Sequence, residues 1–173
     1  VPDALKMCEL ARIHSPRVVV PQTVLFDPSS GDRVGVVVMP FVPDARALCE
    51  LFVPAFQSKD RLGASALVRL AQAMGEAVAA VHAAGAAVVD LNDMNVLVAR
   101  RFDDVRLIDA DSYQTPSRPA TALDPSVADV HIGAAGYGPH SDWFSLAVLL
   151  FQLFVGAIRT KGFIRRSRVW RHG

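Results

Sequence analysis

The sequence predicts an α+β fold: a β-hairpin near the N-terminus, then a mainly helical region with a second hairpin at its centre. Three observations carry this. Residues 18–26 and 34–41 are β-rich runs that flank Asp27-Pro28-Ser29-Ser30-Gly31-Asp32, a turn cluster without an apolar residue. Residues 64–83 place Leu67, Leu70, Ala71, Met74, Val78 and Val81 at spacings of three and four, the period of a helix with one buried face. Beyond that helix, Val96-Leu97-Val98 and Val105-Arg106-Leu107-Ile108 are joined by the polar turn 100–104, which predicts a second hairpin.

Length and composition narrow the function classes. The chain has 173 residues, enough for one domain with a real core or for one lobe of something larger. It is 51% hydrophobic with a formal net charge of +1, which reads as globular and lacks the basic bias of a specific nucleic-acid binder. Cys8 and Cys49 lie far apart, without metal-ligand spacing, and read as buried thiols in a reducing cytoplasm. The longest apolar run, 144–158, is interrupted by Ser145, Gln152 and Gly156 and is too short for a bilayer, so it reads as a core helix and no membrane partner is expected.

The remaining elements follow in order. Ala4, Leu5, Cys8 and Ala11 continue a helical pattern after Pro2-Asp3, ending near residues 14–16. Residues 44–52 suggest a short helix, and residues 58–63 a polar loop. Gly85 is a natural stop for the long helix, and His82 reads as a packed helix-end residue. Residues 112–139 lack periodicity, and a stretch of that length inside a compact domain is usually functional. Its Ser112, Tyr113, Thr115, Ser117 and Thr121 are candidates for phosphorylation, with solvated loop hydroxyls as the simpler reading. Ser141 reads as the N-cap of the next helix, with Asp142 in its first turn at the positive end of the helix dipole. That helix is apolar on nearly every side and reads as buried. From Arg159 the character shifts to a basic tail, residues 159–173.

The chemistry gathers around the second hairpin. Asp90 and Asn95 stand just before its first strand and Asp109 ends its second, so antiparallel pairing brings three oxygen-bearing side chains to one end of the ribbon. Asp90-x4-Asn95, a strand, a turn, a strand and Asp109 resemble the catalytic and metal-binding segments of the protein-kinase superfamily. There H-R-D-x-x-x-x-N supplies a base and a metal ligand, and the Asp of D-F-G supplies another. Here Val88-Val89 replaces His-Arg, Asn92 stands where protein kinases usually carry Lys, and Asp109-Ala110-Asp111 replaces D-F-G. Ser141-Asp142-Trp143-Phe144-Ser145 resembles the opening of kinase helix F. The wording of DLNDMNVLV and LIDADSYQ is similar to a divergent bacterial branch, and DLNDMN also resembles the D-x-H-x-x-N loop of small-molecule phosphotransferases in the same superfamily.

The resemblance implies a kinase-like bilobal fold. Residues 1–42 would be a partial N-lobe with helix C, strands 4 and 5 and the hinge, and residues 43–158 a partial C-lobe. It implies ATP and Mg2+ as cofactors and a protein Ser or Thr as acceptor. Asp90 would be the catalytic base, while Asn95 and Asp109 would hold magnesium. Met39, Phe41, Val42 and Leu97 would line the nucleotide site, although Met39 and Phe41 also read as ordinary strand core. Asp93 and Asp111 read as solvent-facing or loop-capping residues. Asp142 would reach back to hold the catalytic loop. No Gly-rich loop and no strand-borne Lys paired with a helix-borne Glu is identifiable, so the chain reads as a fragment. Two rivals remain: a pseudokinase serving as a nucleotide-binding or regulatory module, and a small-molecule phosphotransferase.

Overall fold

Asp3 opens the first helix, accepting the Lys6 backbone amide on Oδ1 at 2.9 Å and so satisfying one of the helix's orphan donors. The computed structural model describes residues 3–31, 33–53, 62–121, 126–127 and 136–155, and only the backbone of residues 33–36. The basic tail, residues 58–61 of the expected polar loop and much of the aperiodic stretch after residue 121 lie outside the described residues. Helix α1 spans Ala4–Leu10 and stops short of the expected end near residues 14–16. There Arg12 N–H and Ile13 N–H bond to Glu9 and Leu10 carbonyls, tightening the chain into a turn that buries Leu10 and Ile13.

The expected N-terminal hairpin forms, shortened at its open end. Strands β1 (Thr23–Phe26) and β2 (Arg33–Val38) pair antiparallel with Thr23 opposite Val38. Pro21 and Pro40 carry no N–H, which truncates the longer runs. Residues 17–19 go elsewhere: Val19 N–H donates to the Leu107 carbonyl and Leu107 N–H to that of Arg17, both at 2.8 Å. This stitches the start of the presumed first strand to the second sheet.

That sheet has three antiparallel strands in the order β3 (Ala45–Ala47), β4 (Val96–Ala99), β5 (Val105–Leu107). The hairpin β4–β5 forms as predicted, with Val96 opposite Leu107 and Val98 opposite Val105. All four of those side chains are buried, as the period of two requires. The helix expected over 44–52 is a correction. Residues 45–47 pair with β4, and residues 48–52 make a 3-10 turn that buries Leu48, Leu51 and Phe52. Pairing with a distant strand overrides local helix propensity there.

Helix α2 spans Ala64–Ala83, as its periodicity predicts, and buries Leu70, Ala73, Met74, Ala77, Val78 and Val81. Gly85 takes φ +78° and its N–H bonds to the His82 carbonyl at 2.9 Å, ending the helix in the left-handed region that glycine enters without strain. By length and composition α2 would suit a bilayer, but its apolar stripe packs into the core. Helix α3 spans Pro139–Val155 and starts earlier than Ser141. Ser141 is not the N-cap; its hydroxyl accepts the Gly138 N–H at 3.0 Å and donates to the Gly138 carbonyl at 2.7 Å, while Pro139 takes the first helical position. Leu146, Leu149 and Leu153 join the core, but Trp143, Phe144, Phe151 and Phe154 are exposed, so the helix is not buried all round. Both cysteines are free, as expected, but Cys8 is exposed and Cys49 half-buried instead of buried.

Candidate active site

The loop between α2 and β4 is held by a single buried carboxylate. Asp142, fully buried at the start of α3, accepts Val88 N–H on Oδ2 and Val89 N–H on Oδ1, each at 2.7 Å, and lies 2.8 Å from His82 Nε2. One side chain thus ties α3 to the end of α2 and to the backbone just before Asp90. The ring of His82 also packs edge-on against Trp143 with centroids 5.4 Å apart, so its role is structural, as read from sequence. Val89 has φ +63°, which is strained for a β-branched residue, and the Asp90 N–H bonds back to the Val88 carbonyl at 2.7 Å in a tight turn. Strain of this kind costs about 1–3 kcal/mol and persists where neighbouring contacts over-determine it.

Downstream of the turn, Asn92 organises the loop. Its Oδ1 accepts Met94 N–H at 2.9 Å and Asn95 N–H at 3.1 Å, while Nδ2 donates to the Asp90 carbonyl at 3.3 Å. This delivers Asn95, whose Nδ2 donates to the Asp90 carbonyl at 3.1 Å and to Asp90 Oδ2 at 3.2 Å. The amide oxygen of Asn95 is thereby left for another ligand. Ile108 N–H donates to the Asn95 carbonyl at 3.0 Å, which sets Asp109 beside Asn95 at the hairpin's open end. Asp109 itself sits at φ +63°, in the left-handed region that Asp tolerates better than most residues.

Asn95 and Asp109 form the polar end of a cavity of ≈ 360 Å³ whose other walls are Val19, Met39, Pro40, Phe41, Val42, Leu97 and Ile108. Every predicted nucleotide- and metal-binding residue lies on this wall, and Asp90, which does not line it, is hydrogen-bonded to Asn95. Burial pushes the Asp109 carboxyl above the ordinary aspartate range, and the negative charges of Asp111 and Asp90 push it the same way. Those influences place Asp90 and Asp111 each within electrostatic reach of Asp109. A larger cavity of ≈ 810 Å³ adjoins across Phe41 and Leu97. Three of its charged groups are paired among themselves, Arg17 Nε to Asp104 Oδ1 at 2.6 Å and Arg106 Nη1 to Asp104 Oδ2 at 2.5 Å, so the smaller cavity is the better candidate.

No protein-family model and no curated protein sequence matches the chain. Among solved structures it is similar to the Cydia pomonella granulovirus kinase PK-1, with a TM-score of 0.65 at 16% identity, over 87% of this chain and 54% of that one. The fold is protein kinase-like. The chain spans about half the length of that viral kinase.

Within the kinase-like fold, the donor set suits a hard divalent cation. Asn95 and Asp109 offer two neutral-to-anionic oxygens and leave the rest of an octahedron to water and phosphate, as magnesium prefers. Among the described residues no group of three or more His, Cys, Asp or Glu is placed to hold a metal. Of the solvent-facing or loop-capping roles expected of Asp93 and Asp111, the first fails for Asp93, which is 2% exposed, while Asp111 is half-buried with its Oδ1 buried and without a hydrogen-bond partner. Ser112, Tyr113 and Thr115 are likewise buried and are not solvated loop hydroxyls; only Ser117 and Thr121 are exposed.

One residue near the site escaped the sequence reading. Lys6, on α1, is 3% exposed and lies within electrostatic reach of Asp111, Asp3 and Asp109. Its burial is the missing signal, and local pattern does not contain it.

Proposed function

We propose that this chain carries the nucleotide- and acceptor-binding site of an ATP- and Mg2+-dependent phosphotransferase acting on a Ser or Thr hydroxyl of a protein. The observation that supports it best is the meeting of Asn95 and Asp109 at the polar end of a cavity with apolar walls, with Asp90 hydrogen-bonded to Asn95. Met39, Phe41, Val42 and Leu97 would enclose the adenine ring. Asn95 and Asp109 would hold magnesium, which neutralises charge on the nucleotide phosphates. Asp90 would accept the hydrogen bond of the acceptor hydroxyl, orient it and take its proton. Asp142 and Asn92 act through the backbone, fixing where Asp90 and Asn95 stand.

The test is transfer of the γ-phosphoryl group from labelled ATP by the complete natural protein, against a panel of protein acceptors. Asp90→Asn is expected to lower turnover by about 10²–10⁴-fold with nucleotide affinity kept, the usual contribution of a positioned base. Asp109→Asn is expected to lose Mg2+-dependent nucleotide binding as well. ATP binding without transfer, unchanged by Asp90→Asn, would make the chain a nucleotide-binding regulatory module. Transfer to hydroxylated metabolites in place of proteins would make it a small-molecule phosphotransferase.

A further inference from the structure

We propose that Lys6 is the phosphate-binding cation of this site, delivered from helix α1 to the terminal phosphates of the bound nucleotide. The inference rests on the phosphotransferase reading above and names a residue that reading does not use. Three observations carry it. Lys6 is 3% exposed as a residue, its ammonium keeps only a small contact with water, and among the described residues no hydrogen bond to that ammonium is found. An ammonium removed from water needs acceptors, and phosphate oxygens supply them. The carboxylates within its electrostatic reach include Asp109, on the cavity wall, and Asp111, with a buried and unpartnered oxygen.

The third observation is how α1 is held. Asp3, Lys6 and Glu9 recur every three residues and share one helix face. The two acidic members grip the segment that follows Asp109. Ser117 Oγ donates to Glu9 Oε1 at 2.6 Å, and Arg118 Nε donates to Asp3 Oδ2 at 2.6 Å. A single stretch of chain, from Asp109 to Arg118, therefore supplies the carboxylates and clamps the helix on either side of Lys6. Burial pulls the Lys6 ammonium below the ordinary lysine range, while Asp111, Asp3 and Asp109 favour its charge. A cation fixed on a helix in this way binds phosphate as a positioned point charge.

The chain's lysines are Lys6, Lys59 and Lys161, which makes covalent mapping simple. The complete natural protein is treated with an acyl phosphate of ATP, whose acyl carbon is attacked by a nearby lysine amine with departure of ATP. Labelled sites are read by mass spectrometry with and without excess MgATP. In parallel, fluorescent mant-ATP and mant-AMP are titrated into wild type, Lys6→Met and Lys6→Arg. The expected result is MgATP-suppressed labelling at Lys6. Lys6→Met should weaken mant-ATP by about 10–100-fold, the worth of a charged hydrogen bond, with mant-AMP little changed and Lys6→Arg largely restoring affinity. Equal weakening of both nucleotides would show a packing role and overturn the proposal. So would MgATP-suppressed labelling confined to lysines other than Lys6, which leaves the nucleotide site standing. If wild type shows neither suppressed labelling nor mant-ATP binding, the phosphotransferase reading and this inference fall together. Should Lys6→Met not fold, labelling of the wild type decides alone.

Discussion

In the proposed reading, Asp109 sets function against stability. Its carboxyl is raised by burial first, and then by the charge of Asp111 and of Asp90, against partial relief from Ser112 and Lys6. A carboxyl with a raised folded-state pKa favours folding only while protonated, so its stabilising share is complete below the ordinary aspartate value of about 3.9 and is lost as pH rises through the folded value. Asp109→Asn is therefore expected to melt at a higher temperature than wild type at pH 7. The gap should narrow as the pH falls below about 4, where both side chains are neutral. Thermal melts across that range check the sign: a variant less stable than wild type at neutral pH would mean that Asp109 makes a stabilising contact that outweighs its repulsion. The same substitution should remove Mg2+-dependent nucleotide binding. Gain of stability with loss of binding is the behaviour expected of a residue kept for its chemistry.

At the scale of elements, α2, α3 and the loop before β4 are one unit because Asp142 bonds to all three parts. Asp142→Ala leaves two buried backbone N–H groups without an acceptor and releases the strained turn at Val89, so a loss of about 3–5 kcal/mol is expected. Denaturant unfolding measures it, and a loss below about 1 kcal/mol would show that water or a neighbour replaces the carboxylate. This anchor was legible in the sequence because Ser141-Asp142-Trp143 opens an apolar helix at a resembling spacing, and α2 and the β4–β5 hairpin were legible because their periods are local. The elements that were misread depend on distant partners. Residues 45–47 are a strand only because Ala99, Val98 and Leu97 face them, and residues 17–19 leave the first hairpin only because Leu107 receives them. Lys6 belongs to the same class: its burial depends on α1 being docked by residues more than a hundred positions away.

Across the whole molecule, that docking is what joins the N-terminal helix to the segment carrying Asp109, and it is made of charge as much as of apolar contact. Leu10 is the fully buried apolar anchor of α1, while Glu9 and Asp3 bind Ser117 and Arg118. The hydrogen bond from Ser117 holds the Glu9 carboxyl below the ordinary glutamate range, and the Lys6 amide and Arg118 do the same for Asp3. A carboxyl with a depressed folded-state pKa stabilises above its ordinary value, about 4.3 for Glu, and loses that contribution as pH falls through the folded value. Glu9→Gln should therefore melt below wild type at pH 7, with the two curves converging at pH values under about 4. Amide exchange locates the effect: at pH 7 the α1 amides of Glu9→Gln and of Ser117→Ala should exchange faster than those of wild type, while the α2 amides keep their protection. Unchanged α1 exchange in both variants would mean that Leu10 and Ile13 dock the helix unaided. In that case Lys6 would hold its place without the clamp, and acid would not release it.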